Sequence, residues 1–302
     1  MVLVRARRRS AELASVLGLT PSGRLADLGA PVALVLVGVL LALAAAQPVV
    51  SSVRPREGRT DAEVLVIVDI TRSMSARKGR TGTPRFARAV AAAKELRSAL
   101  PEVPVGLASL TDRVLPHLFP TISENAFTAA ADRALGIERP PPDRSGRGRA
   151  TALGALGAIS TQNFYGEKAR RKIAVVLTDG ESTPVDLGTL RARLLGRVTV
   201  LFVHVWDPDE RVLGPGGVPE RAYRPDPLSV AFLAEAARAV GGGSFVEGET
   251  ERVVAAARQA LGEGPIGQQG KELQSVELAP HAALAALAPL LFLVWRRNLA
   301  ST

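Results

Sequence analysis

Apolar and polar positions along this chain fall into three regimes. Two long apolar runs lie near the ends, and between them short β-branched runs alternate with stretches of helical spacing. The first run, Ala30 to Val50, contains no charged residue. The second, Leu278 to Trp295, has His281 as its one ionisable group. At about 1.5 Å per helical residue, a run of about 18 residues reaches roughly 27 Å, close to the thickness of a bilayer core. Both runs are expected to be membrane helices, the first with length to spare. The first starts too late and runs too long for a cleaved signal peptide, and no clear small-x-small cleavage site precedes the folded part. In the second, Trp295 followed by Arg296 and Arg297 suits an interfacial anchor and a cytoplasmic stop, with a buried Ala-rich helix as the competing reading.

Between the runs, Glu63 to Val68 (EVLVIV) is the continuous apolar stretch of a strand buried on both faces. Arg85 to Leu100 has Phe86, Ala89, Val90, Ala93 and Leu96 at helical spacing, with Pro84 suited to its first turn. Val105 to Leu110 and Arg113 to Phe119 read as a strand pair. Glu124 to Ile137 reads as a helix with Ser123 as N-cap, and Ala152 to Thr161 as a helix of small residues. Strand signals follow at Ile173–Leu177, Val198–Val205 and Ser244–Glu247, with helices at Leu187–Leu195, Leu228–Val240 and Glu251–Leu261. Residues 207–224 form a long irregular loop. This alternation predicts an α/β fold, a doubly wound and mostly parallel sheet, in which sites form at the carboxyl ends of strands where the strand order reverses.

Two of those strand ends carry oxygen ligands. Val68 leads into Asp69-Ile70-Thr71-Arg72-Ser73, an Asp-x-Thr-x-Ser pattern. An acid and two hydroxyls at i, i+2 and i+4 of a turning loop can face one point, and hard cations such as Mg²⁺ take such oxygen sets. Read alone, it is equally a solvated Asp turn. The strand ending at Leu177 runs into Thr178-Asp179-Gly180, and Thr151 opens a helix between the two. Thr151 alone reads as an ordinary N-cap. The ordered set of three is far more specific than its parts.

That set resembles the metal-ion-dependent adhesion site of von Willebrand factor A (VWA) domains, over roughly residues 62–262. The resemblance implies that Thr71, Ser73 and Thr151 ligate the metal directly. It implies that Asp69 and Asp179 act partly through water, and that one coordination position stays open for a partner's carboxylate. A divalent ion is implied, Mg²⁺ first, with Mn²⁺ or Ca²⁺ as alternatives. The sequence departs from the family pattern at Thr71, where Ser is commoner, and at Ala150 and Ala152 around Thr151. Asp69 to Met74, then Pro84-Arg85-Phe86-Ala87-Arg88-Ala89, and the order span, domain, span, resemble bacterial aerotolerance-type (Bat-like) membrane proteins. Those proteins are associated with MoxR-type AAA+ ATPases and assembly of other complexes, so such an ATPase and other VWA membrane proteins are implied partners. A typical relative often has two N-terminal spans; one is defensible here.

The expected organisation is a basic tail (1–29), a transmembrane helix (30–50), a linker (51–62), the VWA domain (63–262), a linker (263–277), a transmembrane helix (278–295) and a tail (296–302). Charge orients it. The net charge is +9. The N-terminal tail contributes +3, from Arg5, Arg7, Arg8, Arg9 and Arg24 against Glu12 and Asp27. Arg296 and Arg297 add +2, leaving +4 for residues 51–277. Arginines beside apolar spans fit membrane orientation better than nucleic-acid binding, so no nucleic acid is expected as partner. Both basic ends are expected in the cytoplasm and the domain on the extracytoplasmic side of the cell membrane. Arg54, Arg56 and Arg59 run against that placement.

The chain has no cysteine, hence neither disulfide nor thiolate site. His117, His204 and His281 are scattered, without zinc-site spacing. Gly214-Pro215-Gly216-Gly217 lacks the Gly-Lys-Ser/Thr of a phosphate loop, and no Gly-x-Ser-x-Gly elbow occurs. The sequence therefore favours a binding module over an enzyme. A scaffold with an inactive metal site is the first alternative, and a metal-dependent hydrolase the second.

Overall fold

The computed structural model describes residues 28–141 and 151–299. The tail bearing Arg5 to Arg9, its apolar stretch Leu13–Leu19, and Gly148-Arg149-Ala150 before Thr151 lie outside the described residues. The chain divides into two compact units, Met1–Arg54 with Leu273–Thr302, and Pro55–Glu272.

The larger unit is built on a six-stranded sheet. Its strands are β2 (Ala62–Asp69), β3 (Val105–Leu110), β4 (Val114–Thr121), β5 (Arg171–Thr178), β6 (Thr199–His204) and β7 (Gly243–Val246). The order is β4-β3-β2-β5-β6-β7, with β4 antiparallel to β3 and every other pairing parallel. Alternate residues of β2 feed two cores, as the two-residue period of a strand requires. Val64, Val66 and Val68 pack with α2 (Arg85–Ser98), α3 (Glu124–Arg133) and α6 (Thr250–Leu261). Leu65 and Ile67 pack with a 3-10 helix (Leu153–Ser160), α4 (Leu187–Leu194) and α5 (Ser229–Val240). Helices therefore cover both faces, which is why β2 and β5 read as unbroken apolar runs. After β2 the chain builds outward through β3 and β4, then crosses to β5 on the other flank. The carboxyl ends of β2 and β5 sit side by side at that reversal, with Val68 paired to Leu177.

Three expectations change locally. Within the expected helix 152–161, Leu153–Ser160 forms 3-10 rather than α-helix; Gly154 and Gly157 weaken the α form. Helix α3 stops at Arg133 rather than Ile137, because the chain bends so that the Glu138 N–H, at φ +49°, donates to the Ile70 carbonyl (2.7 Å). The stretches read as linkers, 51–62 and 263–277, are largely taken up by β1 (Val49–Arg59), which begins inside the first apolar run, and β8 (Ile266–Glu277), and the two strands pair as a two-stranded sheet. Their sequences, VVSSVRPREGR and IGQQGKELQSVE, show no two-residue apolar alternation, so they lack the periodicity that announces a strand. Arg59, one of the arginines that ran against the orientation, is buried; it donates to Asp61 (2.9 Å) and to the Gly262 carbonyl (2.6 Å).

The smaller unit holds two helices, α1 (Gly29–Ala45) and α7 (Ala279–Leu299). They run antiparallel. At one end the Leu278 N–H donates to the Pro48 carbonyl (2.9 Å), and at the other Gly29 lies against the Phe292 ring. Segment Ala279–Arg297 is long and apolar enough to cross a membrane, whereas α1 has 17 residues and falls short of that length. Pro48 explains the shortfall: the residue before a proline is pushed out of the helical region, and Gln47 takes φ +47°. The helices bury small residues, Ala33, Ala282 and Ala286, and expose large ones, with Leu34, Leu284 and Leu291 each 66% exposed. Small residues inward and large apolar residues outward is how helices pack in lipid.

Candidate metal centre

The site forms where β2 and β5 end. Asp69 is the last residue of β2 and is fully buried. Burial obliges it to find donors, and four converge on it. Its Oδ1 accepts the Thr71 N–H (2.9 Å) and the Thr71 hydroxyl (2.6 Å). Its Oδ2 accepts the hydroxyls of Thr151 (2.7 Å) and Thr178 (2.6 Å). Thr71 is extended, and a short 3-10 turn (Arg72–Ser75) follows it and brings Ser73 back. The Thr71 hydroxyl lies 3.1 Å from that of Ser73 and 3.0 Å from that of Thr151.

Thr151 is held from both sides. Its carbonyl accepts the Thr183 N–H (2.8 Å) and the Ser182 hydroxyl (2.9 Å), and the next residue, Ala152, donates its N–H to Thr111 (2.9 Å). It caps no helix: Ala152 is the cap of the 3-10 helix, and the Thr151 side chain points to Asp69 instead. Asp179, one residue past β5, is fully buried. It accepts the Glu181 N–H on Oδ1 (3.0 Å) and is hydrogen-bonded by Ser73. Gly180 makes the turn at φ +72°, where a Cβ would stand 2.9 Å from Leu233. The five residues Asp69, Thr71, Ser73, Thr151 and Asp179 are thus brought together from three loops.

Burial, followed by the nearby Asp69 charge, pushes the Asp179 carboxyl up to about 6, against the pull of Arg85. Burial raises Asp69 as well, opposed by its hydroxyl donors. Two carboxylates buried this closely lack positive charge in proportion, which a dication supplies. The donors are all oxygen, three of them neutral hydroxyls, a set that fits a hard divalent cation. Among the described residues no group of three or more His, Asp or Glu side chains is placed to hold a metal ion. The histidines lie apart: His117 bonds Ser109 (2.8 Å), and His204 contacts the Asp179 carbonyl (2.9 Å) and the Ser229 hydroxyl (3.0 Å). Asp207 pairs with Lys78 at 2.6 Å, outside this cluster.

Sequence reasoning missed the layer behind the carboxylates. Arg85 is fully buried and donates to Asp179 Oδ2 (3.0 Å), Glu181 Oε1 (3.0 Å) and Glu210 Oε2 (2.6 Å). Glu181 also accepts from Tyr223 (2.8 Å) and Trp206 (3.1 Å). A signal existed: Arg85 shares a helical face with Ala89 and Ala93, and an arginine on an apolar stripe needs buried acids. Trp206 and Tyr223 also line an open groove of about 540 Å³ with Pro208, Arg221 and Arg224.

No family model matches the sequence, and no curated protein matches it. Among solved structures, the conserved hypothetical protein BatB from Bacteroides thetaiotaomicron aligns with a TM-score of 0.55 at 16% identity, over 66% of this chain and 98% of its own. The aligned two thirds of this chain share the fold of that protein. An aerotolerance-related membrane protein from Bacteroides fragilis gives a TM-score of 0.49 at 19% identity, over 66% of this chain and 98% of its own. A von Willebrand factor type A protein from Catenulispora acidiphila gives 0.41 at 16% identity, over 70% of this chain and 49% of its own. The Bat-like resemblance therefore holds at the level of fold. The BatB alignment carries that statement, and the doubly wound sheet expected from the sequence is present.

Proposed function

We propose that this chain is a membrane-anchored VWA-type binding module that grips an acidic residue of a protein partner through a divalent metal. Thr71, Ser73 and Thr151 would hold the ion directly, and Asp69 and Asp179 would balance its charge. The single observation that supports this most is the meeting of hydroxyls from two loops and the end of β5 around one buried carboxylate. With few anionic ligands the ion stays electrophilic, so an incoming carboxylate gains a charge-assisted bond. Arg221 and Arg224 in the adjoining groove add positive charge for an acidic partner. By the Bat-like resemblance, the module would serve assembly or maturation of other complexes with a MoxR-type ATPase and other VWA membrane proteins.

Helix α7 would anchor the module, with α1 packed against it in the bilayer of the cell membrane. Arg296 and Arg297 would stay cytoplasmic and the globular unit extracytoplasmic. A topology reporter fused after Gly262 should then read outside the cytoplasm; a cytoplasmic signal would reverse the orientation. Partner capture tests the metal. Capture in Mg²⁺ should disappear in chelator and in Asp69→Ala, with the globular unit still folded. Capture that persists in both would leave an inactive-site scaffold, and metal-dependent turnover without a partner would point to a hydrolase.

A further inference from the structure

Arg85 is an unusual neighbour for a cation site. Its guanidinium is fully buried, and its Nη1 is surrounded by three acceptors: Asp179 Oδ2 (3.0 Å), Glu181 Oε1 (3.0 Å) and Tyr223 Oη (2.9 Å). Nε is fixed by Glu210 (2.6 Å), which itself is buried and also pairs with Arg88 (2.7 Å). Nη2 is buried with no hydrogen-bond partner among the described residues. A buried cation with one nitrogen unsatisfied is a poor way to gain stability, because an apolar side chain would fill the space without that penalty. Its placement therefore calls for another reason.

The reason lies in which oxygen it holds. Asp179 Oδ1 is taken by the Glu181 N–H and Oδ2 by Arg85, so neither oxygen is free of a donor. Asp179 also feels the Asp69 charge, and Arg85 opposes that repulsion. We propose that Arg85 is a resident counter-cation of the metal centre: it competes with the metal for Asp179 and holds that carboxylate back from direct ligation. This rests on the metal reading above. Arg85 is a positioning residue in this role. By withholding one anion it weakens metal binding and keeps the bound ion short of negative charge, which strengthens its grip on a partner's carboxylate. The two effects have opposite signs, and a purely structural role would lower both.

The test is titration of the full-length chain, in detergent, with Mg²⁺ alone by calorimetry, together with denaturant unfolding in Mg²⁺ and in chelator. Arg85→Gln removes the cation and Arg85→Lys keeps it. Arg85→Gln should bind Mg²⁺ about tenfold more tightly than the parent, since a positive charge beside the dication is gone. Mg²⁺ should also stabilise it by a wider margin than the parent, because the metal then replaces the lost cation. Arg85→Lys should stay within about threefold of parental affinity. Parental Mg²⁺ binding with Arg85→Gln unchanged, weaker, or unfolded at every Mg²⁺ concentration would overturn this inference alone. Absence of Mg²⁺ binding by the parent would overturn the metal reading, and this inference with it.

Discussion

The sheet unit and the helical pair obey opposite rules of burial within one chain. At the sheet's carboxyl end, Asp69, Thr151, Thr178 and Asp179 are fully buried, each with hydrogen-bond partners. In the helical pair, Ala33, Ala282 and Ala286 are buried while Leu34, Leu284 and Leu291 are 66% exposed. Water explains the first pattern: a polar group withdrawn from it must be repaired by another. Lipid explains the second, because large apolar side chains gain nothing by turning inward from hydrocarbon, and close packing favours small ones at the seam. The comparison sets a unit packed as proteins pack in water beside a helical pair packed as helices pack in lipid.

The contrast can be broken most forcefully in the core. Phe202→Ala deletes a fully buried ring of β6, and should cost about 3–5 kcal/mol of unfolding free energy. Leu291→Ala should leave the unfolding of the globular unit within about 0.5 kcal/mol. Denaturant titration of the solubilised chain measures both. A large destabilisation from Leu291→Ala would mean that the exposed leucines pack against protein rather than lipid.

Charge gives the next largest effect. Leu291→Arg places a cation on an exposed face of α7 and should cost about 2.5–3.5 kcal/mol in membrane insertion. The comparison residue is Leu228, 70% exposed in the sheet unit. Leu228→Arg should change stability by less than about 0.5 kcal/mol. Fractionation of the membrane-bound chain reads the first and thermal unfolding the second. Equal membrane retention by Leu291→Arg would remove lipid as the solvent of that face.

Much of the sheet unit was legible in the sequence because its signals are local. Val64 to Val68 and Ile173 to Leu177 are apolar on both faces, and the oxygens of Asp69, Thr71 and Ser73 follow at once in the chain. Thr151 could be placed in the set by order, but its bond to Asp69 rather than to a helix end depends on packing across 82 positions. Arg85, Glu181, Glu210 and Tyr223 were not legible as a group, because only the fold brings such distant positions to one point. The short α1 was legible in principle: Gln47-Pro48 carries the helix stop, and apolarity alone overran it. Strands β1 and β8 were not, since their largely polar sequences leave no period to read.

A subtler probe removes one donor from the buried carboxylate. The Thr178 hydroxyl donates to Asp69 Oδ2 (2.6 Å) and accepts the Gly180 N–H (3.1 Å), joining the two strand ends. Thr178→Val keeps the shape and loses both bonds. It should destabilise the unit by about 1.5–3 kcal/mol, the range for a hydrogen bond to a charged group. The loss should shrink when Mg²⁺ is present, because the ion compensates the same carboxylate. Unfolding in Mg²⁺ and in chelator checks this, and an identical loss in both would separate Asp69 from the metal.

Acidity yields the smallest effect and distinguishes the two states of the site. Burial chiefly lowers His204 to about 4, below its ordinary 6.5. The unfolded chain therefore binds more protons than the fold between pH 6.5 and 4, and stability falls as pH falls through that window. Asp179 is pushed up to about 6 from 3.8, so the metal-free fold binds more protons than the unfolded chain, and its stability rises as pH falls through 6. Burial raises Glu181 in the same sense. In chelator the histidine and the acids oppose each other, and lowering the pH from 6.5 to 5.5 should change little or should stabilise. With Mg²⁺ bound the acids stay ionised, and the histidine acts alone. The same step should then cost about 1 kcal/mol, within the limit of about 1.4 kcal/mol per pH unit for one proton. His204→Gln should remove that cost in Mg²⁺ and make the metal-free protein more stable in acid. Parallel pH profiles with and without Mg²⁺ would show that the ion does not meet these carboxylates.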